Sequence, residues 1–418
     1  MYHYPDISEK IQKTAAEAEQ QCLPVFREIE AVSEANQYKV LRSFIDNRVS
    51  ESDFFASSGY GYNELGREKL ERVYADIFHT EDALVRPQIS CGTHALYLGL
   101  SSLLLPGDQI LFLTGKPYDS LEKSIGITPA PGSLSEIGVT YAISDLIDGE
   151  YFDLPRIRSL INEKTRIIYI QRSKGYASRK SLSPEAIGEV IRFAKSIKPD
   201  MIAFVDNCYG EFTSLTEPTD HGADLCVGSL IKNPGGGLAP IGGYIVGRAD
   251  LIERCANRLT APGLGKEVGG SLGVLKQFYQ GLSLAPSVTA NALKSAVFAS
   301  FLFEKLGFCA SPAFGEAHHC IVEALTLRDP DLVRKFCGAI QGASYVDSYV
   351  IPEGYDMPGY SDSVIMASGA FISGSSIELS ADGPLREPYT VFFQGGLTYE
   401  HGKYALMKAA DSICGNLS

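Results

Sequence analysis

At 418 residues, 45% of them hydrophobic and 21% charged, the chain is long enough to bury more than one ordinary core. A net charge of −13 without any long Lys/Arg cluster excludes a nucleic-acid surface and leaves a small molecule as the expected partner. No apolar run approaches membrane-spanning length, and the opening MYHYPDISEK lacks a basic segment followed by a hydrophobic one, so a cytoplasmic protein without a membrane partner is expected. Nine cysteines stand singly, with no Cys-x-x-Cys pair, which fits reduced thiols and neither a zinc site nor a disulfide framework; no metal is expected.

In chain order, residues 11 to about 49 have helical composition, and Pro24 is expected to interrupt the run. In FFASSGYGYNELGREKL, residues 54–70, a Gly and Tyr turn precedes a helix for which Asn63 is the expected N-cap. Tyr60 and Tyr62, exposed ahead of that helix, invite a contact outside the local fold. From Ala83 short apolar runs alternate with helical segments. Strands are expected at 83–89, 109–114, 139–143, 166–170, 201–205 and 225–227, which makes an α/β fold with a mainly parallel sheet covered on both faces. After Gly247 longer helices follow, including 286–306. A smaller C-terminal α+β domain is then expected, with strands at 319–325, 364–371 and 376–379 and helices at 332–340 and 399–413.

Ligands of such sheets sit at the carboxyl ends of the strands, and the polar residues there are informative. The run 201–205 ends on Asp206; the run 225–227 leads through Ser229 to Lys232, followed by Asn233, Pro234 and three glycines. A lysine amine for a Schiff base and a carboxylate to keep a pyridine nitrogen protonated are what pyridoxal phosphate (PLP) requires. The small residues around Lys232 are expected to let backbone approach a planar ligand. Between the first strand and its helix, Cys91, Gly92 and Thr93 offer free amides and a hydroxyl to a phosphate, with Ser229 adding a second hydroxyl. His94 reads as a structural helix residue. Tyr118, just past the strand ending at 114, is placed to stack on a ring and exchange protons. Arg172 and Arg179 in the loop 171–180, and Arg386 further on, are three unranked candidates for a bidentate grip on a substrate carboxylate.

With these residues laid out, the chain resembles the fold-type I PLP enzymes of the cystathionine and methionine γ-lyase group, in particular its aluminium-resistance branch. The matching segments are SSGYGYNELGREKLERVYADIF, ALVRPQISCGTHA, GKPYDSLEKSIGI, IIYIQRSKGY, FVDNCYGEF, GADLCVGSLIKNPGGGLAPIGGYI and PYTVFFQGGLTYEHGKYAL, and they cover almost the whole length. The resemblance implies an aspartate aminotransferase-like fold, with an N-terminal helical arm expected at 1–60, a large PLP-binding domain at 61–290 and a small domain at 291–418. It implies that Lys232 forms the Schiff base, Asp206 pairs with the pyridine nitrogen, Tyr118 stacks on the ring, and Cys91, Gly92, Thr93 and Ser229 bind the phosphate. It also implies that a tyrosine of the Tyr60 to Tyr62 turn reaches the phosphate of a neighbouring subunit in a homodimer or homotetramer.

The reaction implied is β- or γ-elimination of a side-chain substituent from an L-α-amino acid. A thiol is the implied leaving group and a halide its chemical equivalent, with Lys232 and Tyr118 as acid and base. The branch carries an arginine and a further aromatic where this chain has Lys174 and Ser178, which leaves substrate preference open. An aminotransferase of the same fold and a PLP-binding protein without turnover are the alternatives.

Overall fold

The computed structural model describes residues 2–356 and 362–414. Helices α1 (Glu9–Asp46) and α2 (Leu65–Ile77) lead to β1 (Asp82–Arg86). The alternation then runs through α3 (Gly92–Leu103), β2 (Gln109–Phe112), α4 (Asp119–Ile125) and β3 (Thr140–Ile143). A small hairpin, β4 (Leu146–Ile147) and β5 (Tyr151–Phe152), precedes α5 (Leu154–Leu160), β6 (Thr165–Gln171), α6 (Pro184–Ile197), β7 (Ile202–Asp206) and β8 (Leu225–Ser229). After β9 (Gly243–Gly247) and α7 (Ala249–Leu259) comes the long α8 (Leu275–Lys305). The last part holds β10 (Cys309–Ser311), β11 (Glu323–Thr326), α9 (Pro330–Gln341), β12 (Gly354–Tyr355), β13 (Val364–Ala367), β14 (Ser380–Pro384), β15 (Thr390–Gln394) and α10 (Tyr399–Cys414).

The first sheet has the order β1-β9-β8-β7-β6-β2-β3. Its strands run parallel except β9, which is antiparallel to both β1 and β8. Burial follows the two-residue period of a strand. Ala203 and Val205 enter one core with Ile168, Ile170 and the apolar face of α6, while Ile202 and Phe204 enter another with Ile167, Tyr169 and α3. Both faces are therefore dry, which is why these strands read as continuous apolar runs. The second sheet, β10-β11-β15-β14-β13-β12, is antiparallel throughout and packs against α9 and α10.

Helices α1 and α8 tie the two halves together. Leu275, Phe278, Leu282 and Ala285 of α8 belong to a core of the large sheet, whereas Val297, Phe298, Leu302 and Phe303 belong to the core of the second sheet. The boundary expected at 290/291 falls within this helix.

Four local expectations need correction. Pro24 does not interrupt α1: its ring faces solvent, and the buried stripe Ile11, Ala15, Ala18, Cys22 and Phe26 continues past it along α8, outweighing one lost hydrogen bond. Asn63 does not cap α2, because it takes a left-handed φ of 55° and Glu64 stands at the cap, its carboxylate accepting from the backbone amides of Ser57 and Ser271. The helix expected from 286 begins at Leu275 and carries Pro286 inside it. The strand expected at 376–379 lies at Ser380–Pro384, where small and polar residues conceal it from a hydrophobic pattern.

Candidate active site

Strands β6, β7 and β8 lie side by side, and their register aligns Gln171 with Asp206 and Asp206 with Val227. Ser229 is two residues beyond Val227, and Lys232 follows on the next turn. All four polar side chains thus reach one rim. A cavity of about 300 Å³ opens there, and Cys91, Gly92, Thr93, Tyr118, Asp206, Ser229 and Lys232 all line it.

Asp206 is buried; its Oδ2 accepts from the Tyr169 hydroxyl at 3.2 Å and its Oδ1 from the Cys208 amide at 3.1 Å. Burial raises its pKa, against the pull of the Lys232 charge. Around Lys232 the balance is reversed: burial disfavours the ammonium, and Cys208, Tyr209, Asp206 and Glu211 outweigh it, so its pKa is raised. The Tyr209 ring, whose residue takes a φ of 70°, lies with its centroid 3.9 Å from the lysine nitrogen.

Opposite them, Cys91 is the N-cap of α3, its Sγ accepting from the His94 amide at 3.4 Å, while His94 Nδ1 accepts from the Ser90 amide. The Thr93 and Ser120 hydroxyls share a hydrogen bond of 2.6 Å. Tyr118 is held by its amide, which donates to the Gln171 carboxamide at 2.9 Å, and by the edge of the Tyr176 ring at 5.6 Å.

The remaining candidates lie outside this cavity. Arg172 is fully buried and held by Asn207 at 2.9 Å and Glu217 at 3.1 Å, so it anchors the turns after β7 and is closed to a substrate. Arg179 donates to the carbonyls of Gln171, Ser173 and Lys180, and burial pushes its guanidinium down to about 10. Arg386 is partly exposed in a 2.8 Å ion pair with Asp362, on the wall of an adjoining cavity of about 720 Å³ that shares Tyr118, Gln171 and Gly175 with the first. Tyr60 and Tyr62 are exposed and stacked on each other, with centroids 5.3 Å apart.

The triple glycine after Lys232 also has a different role from the one expected. A Cβ at Gly236 would stand 2.3 Å from the Gly281 carbonyl oxygen of α8, and one at Gly237 would stand 2.5 Å from Leu397. These glycines admit a helix and a side chain, not the ligand. Sequence reasoning missed Tyr209, Asp382, Gln394 and Ser380, which complete the wall from the turn after β7 and from the second sheet. The segment around Arg386 did contain Asp382, but only the pairing of β14 with β15 turns it toward Lys232.

The residues gathered here fit PLP. Ser229 Oγ is buried without a hydrogen-bond partner among the described residues, as a hydroxyl kept for a phosphate would be. A Cβ at Gly92 would stand 3.4 Å from the Ser229 Cβ and 4.0 Å from the Lys232 nitrogen, so its absence keeps open the space between the α3 N-terminus and the lysine. First-turn amides of a helix have no intrahelical acceptor and favour an anion there.

Comparison with known proteins identifies the family. The family model described as methionine gamma-lyase matches residues 11–414. An uncharacterized protein of Bacillus subtilis, YnbB, is 48% identical over 407 residues, covering 97% of each chain. A carbon-sulfur lyase involved in aluminum resistance from Clostridium novyi NT superposes with a TM-score of 0.94 at 45% identity, covering 98% of this chain and 97% of its own. A proposed cystathionine beta-lyase involved in aluminum resistance from Listeria monocytogenes gives 0.94 at 47% identity, covering 96% of this chain and 100% of its own. Matched by that model over nearly its whole length, and sharing almost half its residues with these relatives, the chain belongs to the methionine gamma-lyase family, whose cofactor is pyridoxal phosphate.

Proposed function

We propose that this protein is a PLP-dependent carbon–sulfur lyase acting on an L-α-amino acid by β- or γ-elimination. The observation that carries the reading is the convergence of Lys232, Asp206 and the unpartnered Ser229 hydroxyl on one cavity at the ends of parallel strands. When bound, the cofactor supplies an electron sink for the carbanion left by loss of a Cα proton. Lys232 is the base we assign to that proton, since it lines the cavity with Asp206 and its nitrogen is 4.0 Å from where a Cβ at Gly92, in the first turn of α3, would stand. The Asp206 carboxylate would hold the ring nitrogen, with Tyr169 and Cys208 fixing its orientation. The amides of Gly92 and Thr93 and the Ser229 hydroxyl would hold the phosphate. Tyr118 is the residue we assign to the ring face and to a second proton transfer, at Cβ, that γ-elimination requires.

Arg386 is the guanidinium we assign to the substrate carboxylate. It pairs with Asp362 in partial contact with solvent, so a carboxylate entering past Tyr118 meets an exchangeable ion pair. The turn bearing Tyr60 and Tyr62 supports a site shared between subunits. Arg67 donates to the Gly61 carbonyl at 2.8 Å and the Gly269 amide to the Tyr60 carbonyl at 2.9 Å, yet Phe55, Tyr60, Tyr62, Leu65 and Leu272 around it remain exposed. A rigid turn presenting so much apolar surface is what a subunit interface uses.

The test is to incubate the PLP-loaded protein with β- and γ-substituted amino acids and measure 2-oxo acid, ammonia and free thiol. Pyruvate from β-substituted or 2-oxobutyrate from γ-substituted substrates, in step with the released thiol, is expected. A 2-oxo acid that keeps its side-chain substituent would instead identify an aminotransferase, and no product from any amino acid would identify a non-catalytic PLP binder.

A further inference from the structure

The cavity that holds Lys232 contains a second carboxylate that this chemistry leaves without a task. Asp382 lies on β14, is buried, and lines the cavity together with Ser380 and Gln394. Its Oδ2 accepts from Gln394 Nε2 at 2.9 Å, and the Tyr176 hydroxyl also hydrogen-bonds to it. Both donors are neutral. The ion pairs described on this side of the molecule, His318–Glu323 and Arg386–Asp362, do not include it. Lys232 is the cation whose field reaches Asp382, and in the working enzyme that amine either holds the cofactor or, as the base for the Cα proton, is required in its uncharged form.

A carboxylate kept buried without a cation of its own is unfavourable unless a ligand supplies one. A second, independent feature points the same way: Ser380, 3% exposed and on the same wall, has a hydroxyl with no hydrogen-bond partner among the described residues. The strand explains why both side chains look inward. Side chains alternate along β14, and a Cβ at Gly383 would stand 2.6 Å from Val333 and 2.9 Å from Cys337 of α9, so Ala381 and Gly383 face that helix and Ser380 and Asp382 the cavity. Most strand faces turned into a buried wall are apolar. Here an acceptor pair is built instead.

We propose that Asp382 and Ser380 form a subsite for a cationic group on the substrate side chain, so that the enzyme selects amino acids whose far end carries an ammonium. The preferred substrates are aminoalkyl thioethers; an alkyl end leaves the carboxylate unpaired, and a distal carboxylate meets Asp382 with like charge. This rests on the lyase reading above. For S-(2-aminoethyl)-L-cysteine, cleavage of the Cβ–S bond with uptake of one water gives cysteamine, pyruvate and ammonia.

Binding is measured first, on the PLP-loaded enzyme, by titrating its visible absorbance with L-ornithine and with L-norleucine, which differ in the terminal ammonium. Wild type is expected to bind ornithine at least about tenfold tighter, the ratio one buried charge pair sustains. Asp382→Asn is expected to bring the ratio toward one, and Ser380→Ala, which leaves the carboxylate in place, to reduce it by about threefold. Equal affinities in wild type, or a preference that survives Asp382→Asn, would overturn the subsite. If Asp382→Asn does not load PLP, an undiminished ratio in Ser380→Ala overturns it instead. Turnover of S-(2-aminoethyl)-L-cysteine against S-propyl-L-cysteine separates the two readings. Keto acid from both at equal efficiency sinks the subsite alone; an ornithine preference without keto acid from any thioether sinks the lyase reading alone.

Discussion

The Lys232 nitrogen lies 3.9 Å from the centre of the Tyr209 ring. The ring's negative face favours the ammonium, whereas only the neutral amine can attack the cofactor aldehyde. Tyr209→Leu should therefore raise the rate at which the PLP-free protein gains visible absorbance on mixing with PLP at pH 8, by about fivefold from the loss of roughly 1 kcal/mol of cation–π stabilisation. Unchanged or slower uptake would remove Tyr209 from this role.

Asp382 carries a stability signature. Burial pushes its carboxyl up to about 6 from an ordinary value of 3.8. Between those two values the folded chain binds more protons than the unfolded chain, so this group's contribution to stability falls as pH rises through that window and is lowest above it. Replacing it with Asn removes a penalty of up to about 3 kcal/mol at pH 7.5 and none at pH 3.5, less the cost of any weakened hydrogen bond to Gln394 or Tyr176. Urea unfolding of the PLP-free proteins should show the variant gaining on wild type as pH rises. A difference independent of pH would contradict the assignment.

The loop after Lys232 leans on α8 through glycines. A Cβ at Gly281 would stand 2.1 Å from the Gly235 carbonyl oxygen, whereas one at Gly338 on α9 meets nothing within 4 Å. Gly281→Ala should cost about 2 kcal/mol of stability and weaken PLP retention, because the lysine loop must shift. Gly338→Ala should stabilise by about 0.7 kcal/mol with PLP retention unaltered. Equal effects of the two substitutions in urea unfolding would contradict this packing.

A shared site makes a prediction about mixtures. Proteins carrying Tyr60→Phe and Tyr62→Phe should retain PLP about tenfold less well, as expected for losing a hydrogen bond to phosphate. Mixed with Lys232→Ala under conditions of subunit exchange, they should recover roughly a quarter of wild-type activity, since half the dimers are mixed and each has one complete site. No recovery despite confirmed exchange would mean self-contained sites.

How much of this was legible in the sequence follows from where each residue sits. Asp206 and Lys232 could be read because a buried parallel strand is a short apolar run, and the polar residue ending it marks the rim. Asp382 could not, since β14 is Ser-Ala-Asp-Gly-Pro: its inner face is polar for the cavity, its outer face small for α9, and no hydrophobic alternation remains. Strand β9 went unread because it reverses direction between two parallel neighbours, and Gly243 and Gly247 at its ends dilute its apolar pattern. Arg172, Arg179 and Arg386 look equivalent as letters; only folding reveals that two of them are occupied in holding loops. Pro24 and Pro286 mark helix boundaries locally, but burial of long stripes on α1 and α8 overrides them.

The residue to which PLP attaches tests the role of Lys232 at its root. The PLP-loaded protein is reduced with borohydride, digested and mapped by mass spectrometry. The pyridoxyl-phosphate mass is expected on Lys232, in the peptide following β8, and is expected to disappear together with the visible absorbance in Lys232→Ala. Labelling of another lysine such as Lys174 in place of Lys232, or a Lys232→Ala protein that keeps its absorbance, would contradict it.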